Sequence, residues 1–156
     1  MKKVRSLVME SKLSNDVLYV CSLIEFTARF TKNKNADIVA LLGKIELTRQ
    51  LRLAGVNHCL SFEEVSDELI TKFDIVSSSF DAVGACRYKV PSYTAIGGVY
   101  RNLIFDVMKN EDEIIDVMYQ VFTSFISEKI SNFNSSLYYE NPSYIKASYL
   151  AGELLY

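Results

Sequence analysis

The sequence predicts an all-α fold, a single-domain bundle of six or seven helices with one irregular segment near residues 74–92. Apolar residues recur at three- and four-residue steps along most of the chain. Residues that cap helices stand at the starts of those runs. No stretch alternates polar and apolar positions for more than a few residues, and no unit repeats at a fixed period. With 156 residues, 49% of them apolar and 23% charged, the chain is long enough to bury one sizeable core and too short to divide into two. Residues 1–156 therefore read as one domain, with 1–13 expected as a flexible N-terminal arm.

The first helix is expected to open at Ser14 or Asn15 in "SNDVLYVCSLIEFTARFTKN", where apolar residues cover most of the circumference from Val17 onward. Ser22, Glu25, Arg29 and Lys32 form its polar stripe, read as a solvated or functional edge on which Glu25 and Arg29 can pair. Asn35 reads as the cap of a short helix closed by Gly43, and a further helix runs from Ile45 to Ala54 and ends at Gly55. Ser61 and Glu64 match a capping box ahead of a helix whose apolar face is Phe62, Val65, Leu69 and Phe73.

Helical period fades between Asp74 and Ser92 and returns at Ile96, Val99, Tyr100, Leu103, Ile104 and Val107. Gly97 and Gly98 each weaken that helix by about 1 kcal/mol relative to alanine, which points to a close approach at the backbone. Asn110 is the expected cap of the longest helix, about 23 residues from Glu111 to Phe133. Asn141 and Pro142 open the last helix, where Ile145, Tyr149, Gly152 and Tyr156 form one row and Ala147 and Ala151 form a small-residue row suited to close packing.

Charge and cysteine usage exclude several functions. Seventeen basic and nineteen acidic side chains give a net charge of −2, so no overall field holds the chain against nucleic acid or an anionic membrane. "MKKVRSLVME" begins like a signal peptide, yet its apolar run is too short to act as one, and no stretch approaches a membrane span. Cys21, Cys59 and Cys86 are an odd, widely spaced set, which places the chain in the cytoplasm with reduced thiols.

Candidate chemistry is sparse. His58 and the three cysteines could supply four zinc ligands, but there is no C-x-x-C, and the side chains of His58 and Cys59 are expected to point apart. The same separation argues against a Cys–His nucleophile, and no pair of carboxylates has catalytic spacing, so no cofactor is expected and the reading leans against an enzyme, with a small-molecule-binding or enzymatic domain as the alternative. "ADIVALLGKIELTRQLRLAG" invites a helix-turn-helix reading, which fails because Lys44, Arg49 and Arg52 fall on positions that motif buries.

Stronger is "GACRYKVPSYTAIGGVYR", whose cations, tyrosines and glycines suit a small anionic ligand of nucleotide or ADP-ribose type. Tyr138 and Tyr139 stand just before a helix cap with no apolar stripe to explain them. Arg87, Tyr88, Tyr138, Tyr139 and Asn141 are accordingly the candidate residues for a ligand or a protein partner.

"LYVCSLIEFTARFTKNKNADIVALLG", "VNHCLSFEEVSDELI", "ACRYKVPS" and "YYENPSYIKASYLAGE" together resemble a family of small helical proteins from low-GC Gram-positive bacteria and their mobile elements. The resemblance spans nearly the whole chain. It implies genes encoded beside ADP-ribosyltransferase-like proteins and a toxin–antitoxin-like or accessory role, and it transfers no catalytic motif. The leading expectation is a protein-interaction module that binds a partner encoded nearby or associates with itself. The aromatic surplus, 12% of the chain, favours this, because aromatic side chains concentrate in interface hot spots.

Overall fold

A computed structural model describes the backbone of residues 2–155 and the side chains of 11–155. All regular structure among these residues is helical, in one bundle built around α1 (Lys2–Thr31). The first helix does not start at Ser14 or Asn15. Nothing between Ser11 and Asn15 breaks a helix, and Lys12 pairs with Asp16 at 3.3 Å across one turn. The expected arm over 1–13 falls mostly on side chains outside those described; within it, Ser11 to Leu13 are helical.

Helix α2 (Asn35–Asn57) packs on α1 and is kinked at Gly43, whose φ of 73° and ψ of 171° lie outside the helical region. The expected break at Gly43 is thus present, but Gly55 does not end the helix, which runs on to Asn57. Asn35 is not the cap either. It lies buried in the first turn with its side chain turned inward.

Helix α3 (Phe62–Phe73) opens as expected on Ser61, whose Oγ accepts from the Glu64 amide at 3.1 Å. The segment that follows is irregular apart from one short turn, α4 (Ala82–Ala85), and is stitched to the end of α1 by Ser78 and Phe80 amides donating to the Thr31 and Lys32 carbonyls.

Helix α5 (Tyr93–Val107) makes the most extensive packing on α1. Gly97 is the reason the two backbones meet: a Cβ there would lie 2.3 Å from Ser22 Oγ and 2.9 Å from the Ser22 amide nitrogen. A Cβ on its neighbour Gly98 would have nothing within 4 Å, so only one of the paired glycines admits the crossing helix.

The expected long helix over 111–133 is divided. A 3-10 turn (Glu111–Glu113) precedes α6 (Ile114–Phe122), and α7 (Phe125–Ser131) follows after a break. At the break Thr123 and Ser124 hydroxyls donate back to the Tyr119 and Val121 carbonyls, and Ser124 Oγ accepts from the Ile126 amide. Division of this helix and the extra turn α4 add two elements, and the joining of the two helices expected on either side of Gly43 into α2 removes one, which gives eight α-helices among the described residues rather than six or seven.

A second 3-10 turn (Leu137–Tyr139) leads to α8 (Pro142–Ala151), which packs on α5 and is capped by Asn141 Oδ1 accepting from the Ser143 amide at 2.9 Å. Ile145 and Ser148 form its buried face. Ala147 and Ala151 are exposed, so the small-residue row meets no helix, and Tyr156 lies outside the described residues.

The polar stripe of α1 is an internal network, not a solvated edge. Glu25, only 2% exposed, accepts from Arg29 Nε at 2.7 Å and from Asn35 Nδ2 at 2.8 Å. Arg29 Nη2 also donates to the Pro91 carbonyl at 2.8 Å, and its guanidinium lies 5.1 Å from the Phe133 ring centre. Asn35 further reaches the Tyr100 hydroxyl at 3.2 Å, which meets Ser127 Oγ at 2.9 Å. One carboxylate thereby ties α1, α2, α5 and α7 together. Of the four stripe residues only Lys32 is exposed.

Burial holds two groups of this core neutral. The Tyr100 phenol is pushed well above its ordinary value by burial and then by the nearby Glu25 carboxylate. Burial pushes the Cys21 thiol up likewise, with Arg101 opposing weakly. Unfolding releases both groups to their ordinary values, 9.0 for the thiol and 10.0 for the phenol. The stability these two groups contribute is therefore level below those values and falls as pH rises past them, because the unfolded chain then loses protons that the folded chain keeps. Urea midpoints measured between about pH 8 and about pH 11 should decline through this window, and a level profile would contradict the burial described.

Candidate functional site

Where α1 and α3 run side by side, small residues set a close contact: Thr27 Oγ1 and Ser66 Oγ are hydrogen-bonded at 2.9 Å and buried. Above that contact the helices leave a groove of about 410 Å³ lined by Phe26, Phe30, Glu63, Glu64, Asp67 and Ile70 together with Ser66.

The two rings of its α1 wall belong to a larger aromatic cluster. Phe26 stacks on Phe30, with ring centres 6.4 Å apart and planes 5° from parallel. Phe26 also meets Tyr93 edge-on at 5.3 Å, and Phe62 joins Tyr93 at 5.0 Å and Tyr19 at 5.2 Å. Four of these rings are packed into the protein, but Phe30 is 68% exposed. It is an apolar ring held in place by a stack and presented to solvent. Across the groove Glu63, Glu64 and Asp67 are exposed, and among the described residues neither they nor Glu68 forms an ion pair.

A second opening, about 470 Å³, lies between the irregular segment and α7, with Phe80, Asp81, Glu128, Phe133 and Asn134 among its walls. Its charges are already matched. Lys32 approaches Asp81 at 3.8 Å, and Lys34 meets Glu128 at 2.6 Å, which raises the ammonium and lowers the carboxyl. Lys34 also stands 5.8 Å from the Phe80 ring centre, where a cationic ligand would otherwise sit. The protein's own side chains fill the polar roles of this cleft.

The residues singled out from sequence make separate contacts. Arg87 is anchored through its amide, which donates to Asn134 Oδ1 at 2.8 Å, and Tyr88 is 69% exposed. Tyr138 packs edge-on against Phe133 and Tyr139, beside a hollow of only about 40 Å³. Tyr139 is exposed, and the Asn141 side chain is engaged as the cap of α8. No hydrogen bond or ring contact among the described residues joins Arg87 and Tyr88 to Tyr138, Tyr139 or Asn141.

The wider anionic-ligand motif also disperses. Tyr93 packs against Phe26 and Phe62, Tyr100 enters the buried network, and Gly97 the contact with α1. In the helix-turn-helix stretch, Lys44 pairs with Asp116 and Arg49 with Glu46. His58 and Cys59 do not point apart as expected: Cys59 Sγ lies 4.0 Å from His58 Nε2 on the surface, since both fall in the turn after α2 rather than on a regular helix. Among the described residues no group of three or more His, Cys, Asp or Glu is placed to hold a metal ion, and no helix is long and apolar enough to cross a membrane.

Sequence reasoning missed the groove because its two walls are 40 residues apart in the chain, as Phe26 and Ser66 show. One signal was available. Phe26 and Phe30 are four apart on α1, and the α3 carboxylates cluster on the face away from Val65 and Leu69. No family model, no curated protein and no solved structure matches the chain.

Proposed function

We propose that the protein is a protein-interaction module whose partner docks on the groove between α1 and α3. The observation that carries this reading is Phe30, 68% exposed yet pre-positioned by its stack on Phe26. An ordered, solvent-facing ring beside a second apolar ring loses little conformational entropy when a partner covers it, which is the property of an interface anchor. Helical walls without a free sheet edge favour a side-chain-mediated partner over a β-strand addition. The resemblance to the small helical family of mobile elements supports a partner encoded close by, with an ADP-ribosyltransferase-like protein as a candidate and an antitoxin-like or accessory role.

The test is co-purification from the native locus with three chains: wild type, Phe30→Asp, and Ile45→Asp as a control at another exposed apolar residue, 89% exposed on α2. A stoichiometric partner should accompany the wild-type and Ile45→Asp chains and be lost from Phe30→Asp. Retention of the partner by Phe30→Asp, or recovery of every chain alone, would remove the basis for this reading.

A further inference from the structure

The groove's chemistry also specifies its occupant. Resting on the proposed interaction role, we infer that the partner segment is a lysine- or arginine-rich amphipathic helix, its apolar edge against Phe26, Phe30 and Ile70 and its cations against Glu63, Glu64 and Asp67.

Charge is the first ground. The chain as a whole carries only −2, yet α3 places Glu63, Glu64, Asp67 and Glu68 within two turns. Glu63 and Glu64 gain from the positive end of the helix, where carboxylates are favourable. Asp67 and Glu68 lie beyond that turn and stand four residues from Glu63 and Glu64, a spacing at which like charges repel by a few tenths of a kcal/mol per pair. A cationic partner removes that repulsion. An anionic ligand or an anionic lipid surface would add to it.

Shape is the second. Phe26 and Phe30 on one wall, and Ser66 and Ile70 on the other, are each four residues apart, so the groove repeats at one helical turn, about 6 Å, and its α3 wall runs about 10 Å from Glu63 to Ile70. A helix lying in it would present side chains at the same interval, as in other helix-in-groove contacts. Ser66 is small and its hydroxyl is bonded to Thr27, which leaves room between Phe26 and Phe30 on one wall and Ile70 on the other.

Fluorescence polarisation with synthetic labelled helices of about 16 residues tests this directly. One peptide carries lysines around a leucine and phenylalanine stripe; a second keeps the stripe and replaces every lysine with glutamate; a third keeps the lysines and replaces the stripe with alanine. The first should bind at least about tenfold more tightly than either of the others. Its affinity should fall as salt rises from about 50 to about 300 mM. Phe30→Asp should abolish binding, and the triple variant Glu63→Lys, Glu64→Lys, Asp67→Lys should prefer the glutamate peptide.

Equal binding of the lysine and glutamate peptides would overturn the inference, as would no binding by any peptide. If the native partner is nevertheless still lost from Phe30→Asp, the interface stands and only the partner's chemistry is wrong. Concentration-dependent dimerisation that Phe30→Asp abolishes would also overturn it, by placing a second copy of the chain in the groove. Circular dichroism melts of each variant exclude loss of fold, since all four substituted positions are exposed.

Discussion

An Arg29→Met variant is expected to lose about 3–5 kcal/mol of folding stability, a large part of the 5–15 kcal/mol typical of a domain. Methionine can occupy the stem's place, so the loss comes from charge. Glu25 is almost wholly buried and would keep only the Asn35 amide as a donor. The variant also frees the Pro91 carbonyl from its Arg29 bond and so loosens the entry to α5. Glu25→Gln combined with Arg29→Met should recover much of the loss, because an amide leaves no uncompensated charge. Urea denaturation of the two single variants and the double variant gives the coupling. A loss below about 1 kcal/mol in Arg29→Met would mean that the pair behaves as a surface ion pair and that the network does not organise the bundle.

Gly97→Ala and Gly98→Ala should move stability in opposite directions, although the residues are adjacent in the same helix. At Gly98 a methyl group enters open space, and the helix gains about 0.5–1 kcal/mol from the better helix former. At Gly97 the methyl group meets the Ser22 hydroxyl and also the Ser22 backbone, with its Cα at 3.0 Å. The hydroxyl can rotate away, but the backbone cannot, so α1 and α5 must separate and the net cost is about 1–3 kcal/mol. Ser22→Ala should relieve only part of this, for the same reason. It also deletes a buried hydroxyl that has no hydrogen-bond partner in the structure, so on its own it should be close to neutral. Thermal melts of the four chains separate these outcomes, and a stabilised Gly97→Ala would refute the close crossing.

Local features were legible in the sequence wherever the responsible atoms are neighbours in the chain. Ser61, Asn110 and Asn141 cap the elements they precede, and Gly43 marks the kink in α2. What failed depended on distant partners. Ser22, Glu25 and Arg29 have the spacing of a solvated stripe, and only the arrival of Gly97, Asn35, Pro91 and Phe133 makes that stripe an interior. The break at Thr123 and Ser124 was hidden by apolar residues that continue across it, from Val121 and Phe122 to Ile126.

Two residue patterns had mixed outcomes. Tyr100 is a core residue that completes a polar network, and the small-residue row of α8 faces solvent. The exposure of Phe30 was hidden for a second reason, besides the distance between the groove's walls in the chain. An apolar residue on a mostly apolar helix reads as core, so nothing in the sequence of α1 distinguishes Phe30 from Phe26.

The most direct test of the interaction role is site-specific photo-crosslinking in the native cells, with benzoylphenylalanine in place of Phe30, Tyr88 or Tyr139 in turn. All three residues are well exposed, so reactivity at each reports only what lies against it. Docking on the α1/α3 groove predicts one crosslinked species from position 30 and none from positions 88 and 139. A crosslink from 88 or 139 with none from 30 would contradict that account and place the partner on the residues singled out from the sequence.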